Sequence, residues 1–446
     1  MNEKILSLLE EKKYQELKQV LNEMESADIA AMFEELPESK MTLLFRLLSK
    51  ETAAEVFVEL ESDTQEVLIT SFSDSELKEV LEELYVDDAV DIIEEMPANV
   101  VKRILLHSNS EMRQSINLIL QYPKDSAGSI MTVEYVDLKE NMTVEDAFLH
   151  IRRTGVDKET VYTCYVTDPN RKLVGLVTVK DLLLSDYSCT MSEIMETNII
   201  YVNTLDDRED VARQFGKYDF LAIPVVDQER RLVGIVTVDD AIDVLEEENT
   251  EDIEKMAAIT PSDKPYLKTG VFETWKHRIP WLLFLMISAT FTGAIITYYN
   301  DALGAFTILS SFIPMLMDSG GNAGGQASVS IIRGIALGEI EFRDLFRVVW
   351  KESRVALLCG LTMAATNFLK LMFFDRVGIA VAAVVCLTLL LTIFCAKIVG
   401  CILPMLAKRI GFDPAVMASP FITTIVDALS LAIYFKIAVF LLHITI

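Results

Sequence analysis

From residue 279 onward the chain runs through five long apolar stretches, and no other feature so restricts what it can become. They cover 279–300, 303–332, 355–374, 377–407 and 414 to the C-terminus. A helix needs roughly 20 residues to cross a hydrocarbon core of about 30 Å, and each stretch is long enough. The second contains Asp318, the third ends near Lys370, the fourth contains Lys397 and the fifth contains Asp427. A carboxylate at bilayer depth costs roughly 2.5 to 3.5 kcal/mol on insertion scales. Asp427 is therefore expected to face a pore, a partner or an ion.

Charge divides the chain at the same place. Residues 1–277 hold 58 of the 67 Asp and Glu but only 28 of the 40 Lys and Arg, a net charge of −30. That sign excludes nucleic acid as a partner, because phosphate binding needs basic surface. It favours bound cations, although a solvated acidic surface is the plainer reading for most single carboxylates. The 333–354 connection carries Arg333, Arg343, Arg347, Lys351 and Arg354, and Lys408 and Arg409 follow the fourth stretch. The opposite connections carry only Arg376 as a base. The positive-inside rule then puts the N-terminus and the acidic half in the cytoplasm and the C-terminus outside, in the plasma (inner) membrane. The six cysteines form no CxxC pair and read as small buried hydrophobes in a reducing compartment. The charged N-terminus lacks the apolar core of a signal peptide.

Residues 1–128 show three-and-four apolar spacing, as in Ile5, Leu8, Leu9, and read as short helices. AAMFEELPES, AEVFVELESD and VDIIEEMPAN share one pattern, which predicts stacked helical hairpins, a small superhelix. Within 129–246 the period changes, with strands expected at 161–167, 173–179, 222–226 and 232–238. RKLVGLVTVKDLL (171–183) returns as RRLVGIVTVDDAI (230–242), 59 residues on, with 8 of 13 positions identical. Gly175 and Gly234 sit mid-strand, where the backbone can approach a ligand or bend. This β–β–α repeat resembles a tandem cystathionine-β-synthase-type (CBS) domain pair. The resemblance implies a cleft for a ligand, often ATP or another adenine nucleotide, with Asp181, Phe220 and Asp240 as candidate contacts. A helix-start role is the alternative for the two aspartates. Residues 247–277 form a polar connector, helical around a Pro261 to Pro265 interruption, and Trp275, His277 and Arg278 mark the membrane interface.

The second apolar stretch contains PMLMDSGGNAGGQASVSIIRG. Gly320, Gly321, Gly324 and Gly325, with Asn322 and Gln326, line a pore on one reading. On the other they pack helices through small-xxx-small spacing. In the fifth stretch Pro420 is expected to free the carbonyl of residue 416. Ser419, Thr423 and Asp427 are spaced by four and share one helix face. Such a polar stripe offers oxygen to a hard divalent cation. One carboxylate per chain, doubled across a two-fold axis, would hold a largely hydrated ion without trapping it. A buried Asp bonded to Ser or Thr is the plainer alternative.

The order of acidic helical domain (1–128), CBS pair (129–246), connecting helix (247–277) and five membrane helices (278–446) resembles the MgtE family of magnesium channels and transporters. P-x-L-x-x-x-GGN-x-G-x-Q (Pro314 to Gln326) and P-x-x-x-T-x-x-D (Pro420 to Asp427) carry the likeness. The fold class it implies is multidomain: α, then α/β, then membrane α. The resemblance makes Asp427 the magnesium site, with Thr423 and Gly320, Gly321 and Gly324 along the path. It places regulatory Mg2+ on Glu55, Asp87 and Asp91, and on Asp207, Glu209, Asp219, Asp240, Asp243, Glu248, Glu251 and Asp252. It also implies a homodimer whose compact, Mg2+-bound state closes the pore. Ser419 stands where the family has an amide and Asp318 is an extra acid, so Co2+ or Mn2+ is the alternative cargo. No enzyme is expected: an intramembrane metalloprotease needs HExxH, and His107, His150, His277 and His443 form none. A non-transporting sensor would not need Asp427 at bilayer depth.

Overall fold

The computed structural model describes residues 2–262, 264, 266–299 and 307–443; the side chains of residues 2–4 and of Ser419 lie outside the described set. It divides into two compact units, Met1–Leu245 and Glu246–Ile446.

The first unit begins with ten short helices, α1 (Asn2–Glu10) to α10 (Ser110–Ile119). Pro37 and Pro97 immediately precede α4 (Glu38–Phe45) and α9 (Ala98–His107). Ser49, Ser73 and Asn109 cap α5 (Lys50–Val58), α7 (Asp74–Leu81) and α10 by accepting free backbone N–H groups. Phe33 and Phe57, at matching places in two copies of the repeated pattern, both pack on Phe45. Phe45 meets Phe33, Phe57 and Phe72 at centroid distances of 6.5, 6.2 and 5.2 Å.

Two three-stranded sheets follow. β1 (Asp137–Lys139) runs parallel to β2 (Thr163–Thr167), which pairs antiparallel with β3 (Leu173–Thr178). β4 (Val202–Asn203), β5 (Ala222–Val226) and β6 (Leu232–Thr237) repeat that order. The four longer strands lie where expected. β1 and β4 are too short to show alternation. The helical region and the second repeat share one core, which joins Ile116 and Ile119 to Val211, Ile223 and Val236. Gly234 serves that junction: a Cβ there would lie 2.6 Å from the Thr132 carbonyl oxygen. The close approach expected at this glycine is made by the chain's own backbone.

α15 (Val238–Met256) runs from the first unit into the second. Five long helices follow: α16 (Val271–Tyr298), α17 (Ile313–Ala336), α18 (Leu345–Phe373), α19 (Ile379–Arg409) and α20 (Ser419–Leu442). Among the described residues four spans are long and apolar enough to cross a membrane: Val271–Tyr298, Phe342–Phe373, Ile379–Arg409 and Pro414–Leu442. α17 has the length, but its glycines and polar residues dilute its apolarity. The expected 355–374 stretch begins ten residues early, at Leu345, so Arg347, Lys351, Glu352 and Arg354 are helical rather than loop. Part of the expected 303–332 stretch lies outside the described residues.

α19 is the hub of the second unit. Val384, Val385 and Ala396 are fully buried in a core shared with α17 and α20. Gly400 sets the closest approach, since a Cβ there would lie 2.3 Å from the Gly324 carbonyl oxygen. Gly400→Ala must push α17 and α19 apart, an overpacking loss of about 1–3 kcal/mol. Gly293 on α16 has open space around it, so Gly293→Ala should be neutral or slightly stabilising. Thermal unfolding of the two variants in detergent should separate them in that order.

Candidate functional site

α17 has two faces of opposite character. On one, Gly320, Gly321 and Gly324 are buried. A Cβ at Gly320 would stand 2.7 Å from Thr392 Cγ2 and 2.9 Å from Ser430 Oγ; one at Gly321 would stand 2.9 Å from Thr423 Cγ2. Gly324 meets Ile422 as closely, at 2.8 Å. These glycines let α17 seat against α19 and α20. On the other face Asp318, Asn322, Gln326 and Ser330 recur every fourth residue and are exposed. The sequence motif reads as one unit; the fold separates its glycines, which pack, from its polar side chains, which point away.

α20 starts at Ser419, after a 3-10 turn at Pro414–Met417. Pro420 therefore occupies the first helical turn, where no N–H is needed. It opens the helix rather than breaking one, and the expected release of carbonyl 416 by mid-helix interruption does not arise. Thr424 Oγ1 donates to the Pro420 carbonyl at 3.1 Å, and Ser328 of α17 donates to the Met417 carbonyl at 3.3 Å. Asp427 is half-buried, and its Oδ1 is buried with no hydrogen-bond partner among the described residues. Asp318 is close enough to act on it electrostatically. The Ser419 side chain lies outside the described residues. Around Asp427, then, stand a carboxylate oxygen without a partner, a second carboxylate and the Thr423 turn.

The first unit gathers another set of acids, between α8 (Val86–Glu95), the segment before β2 and the start of α15. Asp87 is buried and accepts the backbone N–H of Asp88 at 3.0 Å; burial and then Asp240 hold it well above the usual carboxylate range. Burial, then Asp239, pushes Asp88 up to about 6. Burial outweighs the hydrogen bonds from Thr237 and, with Asp239, pushes Asp240 up to about 7. Glu159 rises further, to about 8, through burial and then Asp88, Asp239 and Asp240. Its Oε2 is buried without a hydrogen bond among the described residues. Sequence reasoning misses Asp88, Glu134, Glu159 and Asp239. Only Asp239 leaves a signal, as the acid that replaces Lys180 in the repeated segment.

The other expected acids are scattered. Asp91 is exposed although it lies one turn from Asp87. Glu55 accepts from Ser26 Oγ at 2.5 Å. Asp207 caps α14 (Arg208–Tyr218), Glu209 pairs with Arg213, and Asp219 takes the left-handed conformation that ends α14. Asp243, Glu248 and Asp252 lie along α15. Glu251 pairs with Lys255 at 2.5 Å, and Lys255 also reaches Asp413 at 2.7 Å. Burial opposes the Lys255 charge, but Asp413 and Glu251 outweigh it and push the amine up to about 12. Among the described residues no three His, Cys, Asp or Glu side chains converge as a ready-made metal cage. Asp181 closes a capping box with Thr178, and Asp240 accepts the backbone N–H and the hydroxyl of Thr237. Phe220 stacks on Tyr218 at 5.4 Å.

Comparison with known proteins follows the same divisions. Family profiles match at 24–125 (MgtE intracellular N domain), at 127–186 and 191–247 (CBS domain) and at 313–437 (MgtE, divalent cation transporter). The magnesium transporter MgtE of Thermus thermophilus is 38% identical over 431 residues, 96% of this chain and 95% of its own length. That of Bacillus subtilis is 32% identical over 444 residues, 99% of this chain and 97% of its own. The crystal structure of the cytosolic domain of the Mg2+ channel MgtE in complex with ATP matches 55% of this chain and 100% of its own at 37% identity, TM-score 0.53.

The acids of the first unit generate a pH dependence with a definite sign. Their packed-state pKa values are raised, so the stability they allow is complete below the ordinary carboxylate pKa of about 4. It is lost as pH rises through about 6, 7 and 8, the values of Asp88, Asp240 and Glu159. In metal-free buffer the unfolding midpoint of this unit should fall by about 5 °C or more between pH 5 and pH 8. Millimolar Mg2+ should restore it at pH 8, and Glu159→Gln should flatten the pH profile. A midpoint that ignores both pH and Mg2+ would show these acids to be merely solvated.

Proposed function

Because this chain belongs to the MgtE family of divalent cation transporters, we propose that its cargo passes Asp427 and Asp318 and that its acidic half senses the same ion. The chain is a membrane Mg2+ channel or transporter. The observation that carries the path is the buried Oδ1 of Asp427, well inside α20 and unpartnered among the described residues. An orphan carboxylate oxygen is unfavourable in a low-dielectric setting until a cation or its water shell arrives. Asp318 adds a second carboxylate, which raises the attraction for a divalent ion. Asn322, Gln326 and Ser330 extend the polar surface along α17. All these donors are oxygens or amides, the chemistry of a hard, hydrated ion such as Mg2+.

Five crossings, with the N-terminus inside and the C-terminus outside, complete the membrane part. α17 joins the four apolar spans because its polar face is turned to water or to a second copy rather than to lipid. A two-fold homodimer would bring two such faces together and double the carboxylates.

Regulation follows from the crowded acids of the first unit. A divalent ion reverses the sign of their mutual repulsion, so Mg2+ favours the compact arrangement by binding it. α15 carries that state onward. In the second unit its Met256 packs on Ile332, Ala415 and Ala418, and its Lys255 grips Asp413 just before α20. Closing the mouth of α20 in the Mg2+-bound state makes the protein a negative-feedback gate. ATP at the CBS repeats is the further reading supported by the relative solved with it; Asp181, Asp240 and Phe220 are its candidate contacts.

Asp427→Asn should cut Mg2+ uptake into liposomes at least about tenfold, while the purified variant keeps the parent's elution profile. Asp318→Asn should weaken apparent Mg2+ affinity more than maximal flux. Undiminished uptake by well-folded Asp427→Asn would sink the path.

A further inference from the structure

The chain holds a second buried charge site between its long helices. Glu352 on α18 and Lys397 on α19 face each other with an N–O distance of 3.7 Å, and their side chains are only 14% and 7% exposed. That distance is beyond hydrogen bonding. Glu352 Oε2 is buried and has no hydrogen-bond partner among the described residues. A desolvated ion pair offsets its burial only with short, fully hydrogen-bonded geometry. This pair is a poor strut, and ionisable groups at such positions are kept chiefly for function.

The pair borders a cavity of about 750 Å³, whose remaining lining combines Asn322, Gln326 and Ser330 of α17 with the apolar Val329 and Val355. At about 30 Å³ per water this volume has room for on the order of 25 waters, so a cation with its hydration shell fits. One stripe of α17 runs from the first site to the wall of this cavity. Asp318, Asn322, Gln326 and Ser330 follow at steps of four, and each step turns about 40° around a helix of about 3.6 residues per turn. The exposed stripe therefore winds from Asp318, which acts on Asp427, to the wall opposite Glu352 and Lys397.

We propose that this cavity is a second divalent-cation station, in which Glu352 is the ligand and Lys397 a tethered counter-ion that releases the carboxylate when the ion arrives. Empty, the site is neutralised by Lys397. Occupied, it is weakened by the same charge, so the ion binds well enough to enter and loosely enough to leave. Lys397 thus sets affinity against throughput. The proposal rests on the reading that Mg2+ passes Asp427.

The test is Mg2+ uptake against Mg2+ concentration, with the full chain in liposomes. Lys397→Gln should lower the half-saturating concentration about tenfold and also lower maximal flux. Lys397→Arg, which keeps the charge, should shift it less. Glu352→Gln, which leaves Lys397 facing the ion alone, should raise the half-saturating concentration, and adding Lys397→Gln should lower it again, but not to the value of Lys397→Gln alone. A merely structural pair would lower the amount of active protein without moving half-saturation. Unchanged half-saturation in Lys397→Gln overturns the proposal, as does unchanged half-saturation in a well-folded Glu352→Gln. If Glu352→Gln does not fold, Lys397→Gln against Lys397→Arg decides alone. Uptake that survives Asp427→Asn would overturn the Asp427 reading instead, and the Lys397 shift would still be legible on that surviving flux.

Discussion

The seam of glycines between α17 and its neighbours governs the second unit. Gly324 and Gly400 bring two backbones into direct contact, and Gly320 and Gly321 admit Thr392, Ser430 and Thr423. No residue with a side chain fits there at this spacing. With that face pinned inward, the i+4 periodicity of α17 leaves Asp318, Asn322, Gln326 and Ser330 no place but the opposite face. The same seam sets Asp427 of α20 within electrostatic reach of Asp318. The apolar packing and the polar face of α17 are therefore one arrangement: loosening the first would displace the second.

Both units meet one electrostatic problem in different settings. In the first, Asp87, Asp88, Glu159 and Asp240 crowd together, and burial with mutual repulsion lifts each above its ordinary carboxylate range. In the second, Asp427 holds a buried oxygen without a hydrogen-bond partner among the described residues. On the function proposed above, a mobile divalent cation would complete both, one ion serving as cargo and as signal. Where the chain does balance such a charge, at Glu352 with Lys397, the pair is long and borders water-sized space.

The amino-acid sequence reveals the domain order, because its periods are strong: three-and-four in the helical region, a 59-residue β–β–α repeat, then long apolar runs. It also singles out Asp427 as a charge in the wrong solvent. It leaves open whether the motif from Gly320 to Gln326 packs or lines a path, since linear spacing cannot say which neighbour a helix face meets. Pro420 reads as a mid-helix break, but α20 begins one residue before it, so a proline signal for interruption is also one for initiation. Glu159 and Glu134 carry no periodic or motif signal; only tertiary folding brings them to Asp88. Lys397 is visible as a charge, but its partner is not. Sequence spacing places Glu352 in a connection, and the early start of α18 at Leu345 is what turns it inward.

The central claim is that the orphan carboxylate of Asp427 is completed by the transported cation. Anomalous diffraction from crystals of the full chain grown with Mn2+ as a stand-in for Mg2+ reads this directly. The account predicts a peak beside Asp427 that is removed by soaking in excess Mg2+ and is absent from Asp427→Asn crystals. Peaks confined to the acids of the first unit, with none near Asp427, would contradict it.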